Sequence, residues 1–339
     1  MRLIPLLFAA TTAFGGYANA ACQMDKVASL PVSVDRGLIY VSGSINGTPV
    51  RYLVDTTADS LILPGPAHSM ELYQMLHPMD RSFVYLDEGR LGPVFVDDMK
   101  VGGMAFKRYI MHVLGRRENF GAPDQIAVLG RDFLRQFDVE FDVKHSQINL
   151  YHSAGCEAAN LAFWGDRYNV LDMQDGDDLI YYHINDFRRY IPDMKGIFVA
   201  AKVNGHDVLA VLDSGSVQSS LSNGTAHDLG ITLTSAKDRV GDGYSLIYNR
   251  RLESWQGDVD SVTLDQETIK PATLLVRRIE GADELLGYGV TGSKLNARPL
   301  YTADMVLGAD FLLSHHVLIS SSQRKIYFTF EGGQPFHAE

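Results

Sequence analysis

Two aspartates stand out by their surroundings. Asp55 follows the apolar pair Leu53-Val54, Asp213 follows Val211-Leu212, and each precedes a hydroxyl residue, Thr56 or Ser214. A charge at the end of a strand that should be buried is costly unless compensated. Two carboxylates facing each other a few ångströms apart provide that compensation. Both cannot ionise, so they share a proton and offer a base and an acid together. Such a pair activates water. The plain alternative for a single Asp-Thr or Asp-Ser is a turn residue bonded to its own backbone.

An internal repeat weakens that alternative. Residues 39–58, IYVSGSINGTPVRYLVDTTA, align without a gap on residues 197–216, IFVAAKVNGHDVLAVLDSGS, at an offset of 158. Asn46-Gly47 then matches Asn204-Gly205, and Asp55 matches Asp213. A second block, VLGRDFL at 128–134, aligns on VLGADFL at 306–312 at an offset of 178, so the second copy carries 20 additional residues between its blocks. Ile148 and Ile326 each stand sixteen residues beyond the matched Asp132 and Asp310, so the register holds to the end of each copy.

The elements that must position the aspartates are strands. An Asn-Gly pair between runs of Val, Ile, Leu and Tyr predicts a two-residue hairpin turn with positive φ at both central positions. The outgoing strand then runs into the Asp. Each second block precedes another strand-like run, VEFDVKHSQINLY or VLISSSQRKIYFTF. Helical signals are short; the clearest is Asn223–Leu229, with Ser222 as N-cap and Gly230 beyond its end. The expected fold class is all-β, with residues 157–195 as a connection or elaboration before the second copy.

With 339 residues, 46% apolar, 21% charged, 31 Gly and 12 Pro, the composition is that of a packed globular protein and not of a disordered or collagenous chain. The net charge of −11, without a long basic run, gives no footprint for nucleic acid or an anionic membrane. Met1-Arg2, the apolar stretch Leu3–Phe14 and Ala18-Asn19-Ala20 read as a secretory signal over 1–20, so the protein is expected to be exported, periplasmic or secreted. No later window is long and apolar enough for a membrane helix. Cys22 and Cys156 then form an even pair, most simply a disulfide in an oxidising compartment. A lipid on Cys22 is the less favoured alternative, since Asn19-Ala20-Ala21 fits a lipidation signal only in part.

The motifs Asp55-Thr56-Thr57-Ala58-Asp59-Ser60, Asp213-Ser214-Gly215-Ser216, Val128-Leu129-Gly130 and Val306-Leu307-Gly308 resemble those of the aspartic proteases, in particular the retropepsin-like lobe. The similarity is strong at the motifs and only one of texture between them. It implies two pseudo-twofold-related β-barrel lobes in one chain, at 21–156 and 196–339, and a monomer that completes its own site. It further implies a catalytic dyad of Asp55 and Asp213, crossed bonds from Thr56 and Ser214 beneath it, and close strand passage at Gly130 and Gly308. The substrate would be a polypeptide, with no metal and no cofactor.

One departure matters. Where the family pattern has Asp-[Thr/Ser]-Gly, the first copy has Thr57 against Gly215 in the second. If that loop needs positive φ, a β-branched Thr strains it. A catalytically degenerate, peptide-binding protein is therefore the alternative function. A substrate-covering hairpin is expected around Ser82–Lys100, where Tyr85 either leans over the cleft or simply fills a strand, and the extra residues of the second copy, including Gly281–Pro299, could reshape the cleft edge.

Other signals are weaker. Gly287-Tyr288-Gly289-Val290-Thr291-Gly292 satisfies G-x-G-x-x-G but follows no clear strand and opens no helix, so it reads as a loop. There is no H-E-x-x-H, no Cys/His cluster and no G-x-S-x-G. The N-x-T triplets at Asn46 and Asn223 are better explained as a turn and a helix start.

Overall fold

The computed structural model describes residues 22–72, 90–114, 125–175, 196–234, 243–245, 250–279, 303–333 and 335–336. Residues 1–20, expected to be a secretory signal, lie outside the described residues, as do Tyr85, Gly281–Pro299 and the Gly287–Gly292 stretch.

The fold is all-β, with helices of one or two turns. Both predicted hairpins form. Strands Leu38–Ile45 and Thr48–Val54 pair with Ile45 opposite Thr48, and Ile197–Val203 and His206–Leu212 pair with Val203 opposite His206. The turn residues Asn46 and Asn204 adopt φ of 48° and 52°, followed by Gly47 and Gly205 at 82° and 81°, as this turn demands. Each Asn side chain also ties the turn to a neighbouring strand. The Asn46 Oδ1 accepts from Asp98 N at 2.9 Å, and the Asn204 Oδ1 accepts from Asp260 N at 2.8 Å and Ser261 N at 3.2 Å.

The strand that ends at each aspartate lies parallel to the apolar-apolar-Gly strand of its own copy. Thr48–Val54 pairs with Gln125–Leu129, and His206–Leu212 pairs with Met305–Leu307. After the Asp loop the chain returns along the other side of that same strand, as Leu61–Ile62 in the first copy and Ser220–Ser222 in the second. In the first copy the pairing continues through Met104–Leu114 and Arg90–Val101 back to Leu38–Ile45, which closes the barrel. The second copy follows the same path through Ala272–Ile279 and Arg250–Val259, and the short strand Val262–Leu264, next along the chain, pairs with Ile197–Val203.

A third sheet draws on both copies. Its order is Gln23–Asp35, Gln147–Ala154, Asp138–Asp142, His315–Ser320, Lys325–Phe330 and Asn169–Asp175, all antiparallel neighbours. The stretch 157–195 thus contributes an edge strand. At the central seam Phe141 lies opposite Val317. Beside it, the buried Glu140 accepts hydrogen bonds of 2.7 Å from Asn149 Nδ2 and Tyr151 OH and contacts His316 Nε2 at 2.7 Å. Cys22 and Cys156 form the expected disulfide, next to the paired Gln23, which begins the first strand of this sheet, and Ala154, which ends the second.

The helix expected at Asn223–Leu229 is present as Asn223–Asp228. The Ser222 side chain accepts from Thr225 N, and Gly230 takes a φ of 66° beyond its end.

Candidate active site

The Asp loops are held from below by backbone. Asp55 N donates to Leu129 O at 3.1 Å and Asp213 N to Leu307 O at 2.8 Å, so each aspartate is fixed to the end of the neighbouring strand. The two loops then grip each other. Thr56 Oγ1 donates to Leu212 O at 2.6 Å and accepts from Ser214 N at 3.1 Å. Ser214 Oγ donates to Val54 O at 2.8 Å and accepts from Thr56 N at 3.1 Å. Both side chains are fully buried, so these four bonds have no competition from water. They bring residues 158 apart in sequence into one rigid unit with Asp55 and Asp213 on it.

Each carboxylate is oriented by donors from its own loop, and the two loops do this differently. Asp213 Oδ1 accepts from Gly215 N at 3.0 Å and Asp213 Oδ2 accepts from Ser216 Oγ at 2.8 Å. On Asp55 a single oxygen, Oδ1, accepts from Thr57 N at 2.8 Å, Ala58 N at 2.9 Å and Thr57 Oγ1 at 2.8 Å. The Thr57 hydroxyl also lies 3.2 Å from Asp213 Oδ1. It stands between the two carboxylates.

The expected reason for glycine at this position needs correcting. Neither Thr57 nor Gly215 has a positive φ, so the Thr57 backbone is not strained. The constraint is contact with the opposite loop. A Cβ on Gly215 would lie 2.5 Å from Asp55 Oδ2 and 2.9 Å from its Cγ. At Thr57 the side chain is accommodated, and its hydroxyl makes the approach a hydrogen-bonded one.

Burial, together with the negative charge of Asp55, pushes the Asp213 carboxyl up to about 6 from its ordinary 3.8, although bonds from Ser216, Gly215 and Thr57 act against this. A hydroxyl has one proton to give. It can therefore serve Asp55 Oδ1, at 2.8 Å, or Asp213 Oδ1, at 3.2 Å, but not both at once. Burial and the Asp55 charge thus favour the protonated form of Asp213.

Gly130 and Gly308 lie where a strand crosses directly beneath each Asp loop. A Cβ on Gly130 would stand 2.4 Å from Ser60 N, and one on Gly308 would stand 2.7 Å from Gln218 C.

Three features escaped the sequence. Ser60 and Asp132 form a clamp in which Ser60 N and Oγ donate to Asp132 Oδ1 at 2.7 and 2.8 Å, while Gly130 N donates to Ser60 Oγ at 3.0 Å. Ser219, Asp310 and Gly308 repeat it. Asp132 and Asp310 were visible as matched residues, but Ser60 follows Asp55 by five residues and Ser219 follows Asp213 by six, so a gapless alignment sets the serines out of register. The third is Arg277, whose counterpart in the first copy is not a cation.

Among the described residues, Asp142, His316 and Glu331 place possible ligand atoms within 4.8 Å of one another. Asp142 and His316 belong to the sheet shared by both copies and Glu331 follows its strand Lys325–Phe330, away from the Asp loops, and His316 is already engaged by Glu140.

Residues 199–311, which include Asp213-Ser214-Gly215 and Val306-Leu307-Gly308, match the family model described as aspartyl protease. This part of the chain is aspartic-protease-like in sequence. No curated protein matches the chain. Among solved structures the chain is similar to basic 7S globulin from soybean, at 11% identity over 91% of this chain and 95% of that one, with a TM-score of 0.40. It is also similar to a retropepsin-like aspartic protease from Rickettsia conorii, at 18% identity over 40% of this chain and 97% of that one, with a TM-score of 0.27.

Proposed function

We propose that this chain is an exported, single-chain aspartic endopeptidase. Two β-lobes, 21–156 and 196–339, would each supply one aspartate. The observation that carries the reading is the crossed Thr56 and Ser214 grip, which holds Asp55 and Asp213 so that one hydroxyl, that of Thr57, reaches an oxygen of each. The aspartyl-protease match over 199–311 supports it independently.

In this reading Asp55 is the base and Asp213 the acid. A water held between them gives a proton to Asp55 as its oxygen bonds to the peptide carbonyl carbon. Asp213 gives its proton to the carbonyl oxygen, producing a neutral tetrahedral diol. The proton on Asp55 then passes to the amide nitrogen, the C–N bond breaks, and one hydroxyl of the diol returns its proton to Asp213 as the acid product forms. No covalent enzyme intermediate arises.

The mature protein should cleave an unfolded polypeptide below about pH 6, where Asp213 is protonated. Either Asp55→Asn or Asp213→Asn should lower the rate by about a hundredfold to ten-thousandfold, the usual worth of general acid–base catalysis. Full activity in both variants would overturn the assignment.

One observation favours a second reading, a peptide-binding protein without turnover: the Thr57 side chain fills space between the carboxylates that a glycine would leave open. Thr57→Gly separates the two. Proteolysis that appears only in this variant supports the binding protein, whereas proteolysis by the unaltered chain excludes it.

A further inference from the structure

Arg277 lies on the strand Ala272–Ile279, where Leu274 and Val276 are fully buried in the apolar core. Strand alternation turns Leu275 and Arg277 to the opposite face. There Arg277 stands in register with Ser254 on one side and Ser222 on the other, and Leu275 with Gln256 and Ser220. The charge thus sits on a face where Leu275, Ser220 and Ser254 are buried and Ser222 and Gln256 are half-buried.

Its Nε is enclosed and has no hydrogen-bond partner. Among the described residues, no carboxylate reaches ion-pair distance of its guanidinium. Asp213 and Asp310 both act on it electrostatically, against the effect of burial, so it stands on the dyad side of the barrel. Neither neutralises it directly. Asp310 spends its oxygens on Ser219 N at 2.9 Å, Ser219 Oγ at 2.7 Å and Phe311 N at 2.9 Å, and Asp213 is bonded within its own loop. Arg277 as a whole is half-buried, but an enclosed guanidinium N–H without a partner is costly, and such an unsatisfied group calls for one. The first copy has no cation at the matching position. The register that aligns Ile62–Val113 with Leu221–Val276 places Leu114 at the matching position.

We infer that Arg277 docks a carboxylate of the substrate, carried by an acidic side chain or a free C-terminus near the scissile bond, and so gives the cleft a one-sided preference for acidic peptides. The planar fork of arginine suits a carboxylate with two parallel bonds. This rests on the peptidase reading, since it takes the cleft beside Asp213 as the place where peptide lies.

The test uses the full mature chain and peptides that differ only in Glu or Gln at one position, moved through the residues on either side of the scissile bond, with the C-terminus amidated. A second series lacks acidic side chains and compares free with amidated C-termini. The unaltered protein should favour Glu at one position, or the free terminus, by about tenfold to a hundredfold in kcat/KM, as expected for a charge-assisted pair. Arg277→Gln should abolish that preference while still cleaving the neutral peptides, which also reports that it has folded. Arg277→Lys should retain part of it. Which series shows the preference identifies the source of the carboxylate. Cleavage with equal rates for acidic and neutral peptides, or a preference unchanged in Arg277→Gln, overturns the inference and leaves the peptidase reading intact. If the chain cleaves nothing, the peptidase reading fails by itself. The same peptide pairs are then compared by fluorescence anisotropy, where an Arg277-dependent preference supports the carboxylate site and equal affinities overturn it.

Discussion

The Asp55 and Asp213 loops are copies of one design that solve the same problem with different atoms. Both end a strand held by the backbone of the apolar-apolar-Gly strand, and both supply a hydroxyl to the reciprocal grip. They part at the next two residues. The Asp213 loop has Gly215 and Ser216, so its extra hydroxyl reaches the carboxylate at Oδ2 from its own side. The Asp55 loop has Thr57 and Ala58, so its extra hydroxyl comes one residue earlier and enters the space between the two carboxylates. The difference teaches what the glycine is for. It is required not by its own dihedral angles but by the nearness of the opposite aspartate, and a hydroxyl residue can stand there on one side of the pair.

Making the loops alike is the strongest way to break this account. Gly215→Thr would force a Cβ to within 2.5 Å of Asp55 Oδ2, so the carboxylate must move. An ångström of misplacement costs about a hundredfold in rate, and overpacking of this kind costs about 1–3 kcal/mol of stability. Thr57→Val, which keeps the bulk and loses the hydroxyl, should cost less, about tenfold to a hundredfold in kcat. It leaves Asp55 Oδ1 short of one donor and removes the hydroxyl that reaches Asp213 Oδ1. Thr57→Ser should retain most of the rate. Steady-state kinetics on one peptide rank the three. A Gly215→Thr variant as fast as the original would show that the contact, and with it the comparison, is misread.

Titration sharpens the comparison next. Burial and the Asp55 charge raise the folded-state value of Asp213 to about 6, so the folded protein holds this proton more tightly than the unfolded chain does. Its contribution to stability is therefore fully present below about pH 4, declines as pH rises through the window from about 4 to 6, and stays lost above it. The shift of about two units corresponds to about 3 kcal/mol. Asp213→Asn carries no such charge. It should be more stable than the original at pH 7.5 by about 2–3 kcal/mol, with the gap closing toward pH 4, as read from denaturant midpoints. Asp55→Asn removes one of the two causes and should bring the Asp213 titration, followed by carboxyl NMR shifts, back toward its ordinary range.

Much of this architecture was legible because it was written twice. The hairpin turns need Asn-Gly, the strand beneath each Asp loop needs its glycine, and the matched aspartates need each other, so duplication turned weak local signals into a pattern. What stayed hidden depends on distance or on asymmetry. The seam between Asp138–Asp142 and His315–Ser320 joins strands through backbone bonds that are indifferent to side-chain identity, so no motif announces it. The opening strands Gln23–Asp35 and Asn169–Asp175 occupy opposite ends of that sheet yet share no residue pattern. Arg277 is unique to one copy, and a search for repetition cannot find what is not repeated. The serine clamps were missed because the two Asp loops differ in length by one residue, which a fixed offset cannot follow.

The smallest expected difference between the copies lies at their turns. Asn46 and Asn204 take the same left-handed backbone, so replacing either by alanine carries a similar conformational cost. Their side chains differ in employment. The Asn46 Oδ1 accepts one backbone N–H, from Asp98, whereas the Asn204 Oδ1 accepts two, from Asp260 and Ser261. A partly solvated bond of this type is worth about 0.5–1.5 kcal/mol, so Asn204→Ala should be the more destabilising of the pair by about that amount in urea unfolding. The exposed Asp98 and Asp260 amides can recover water, which keeps the difference near the lower end of this range. Equal losses at both turns would mean that the second bond on Asn204 adds nothing, and that the stability difference between the copies must be sought in their Asp loops alone.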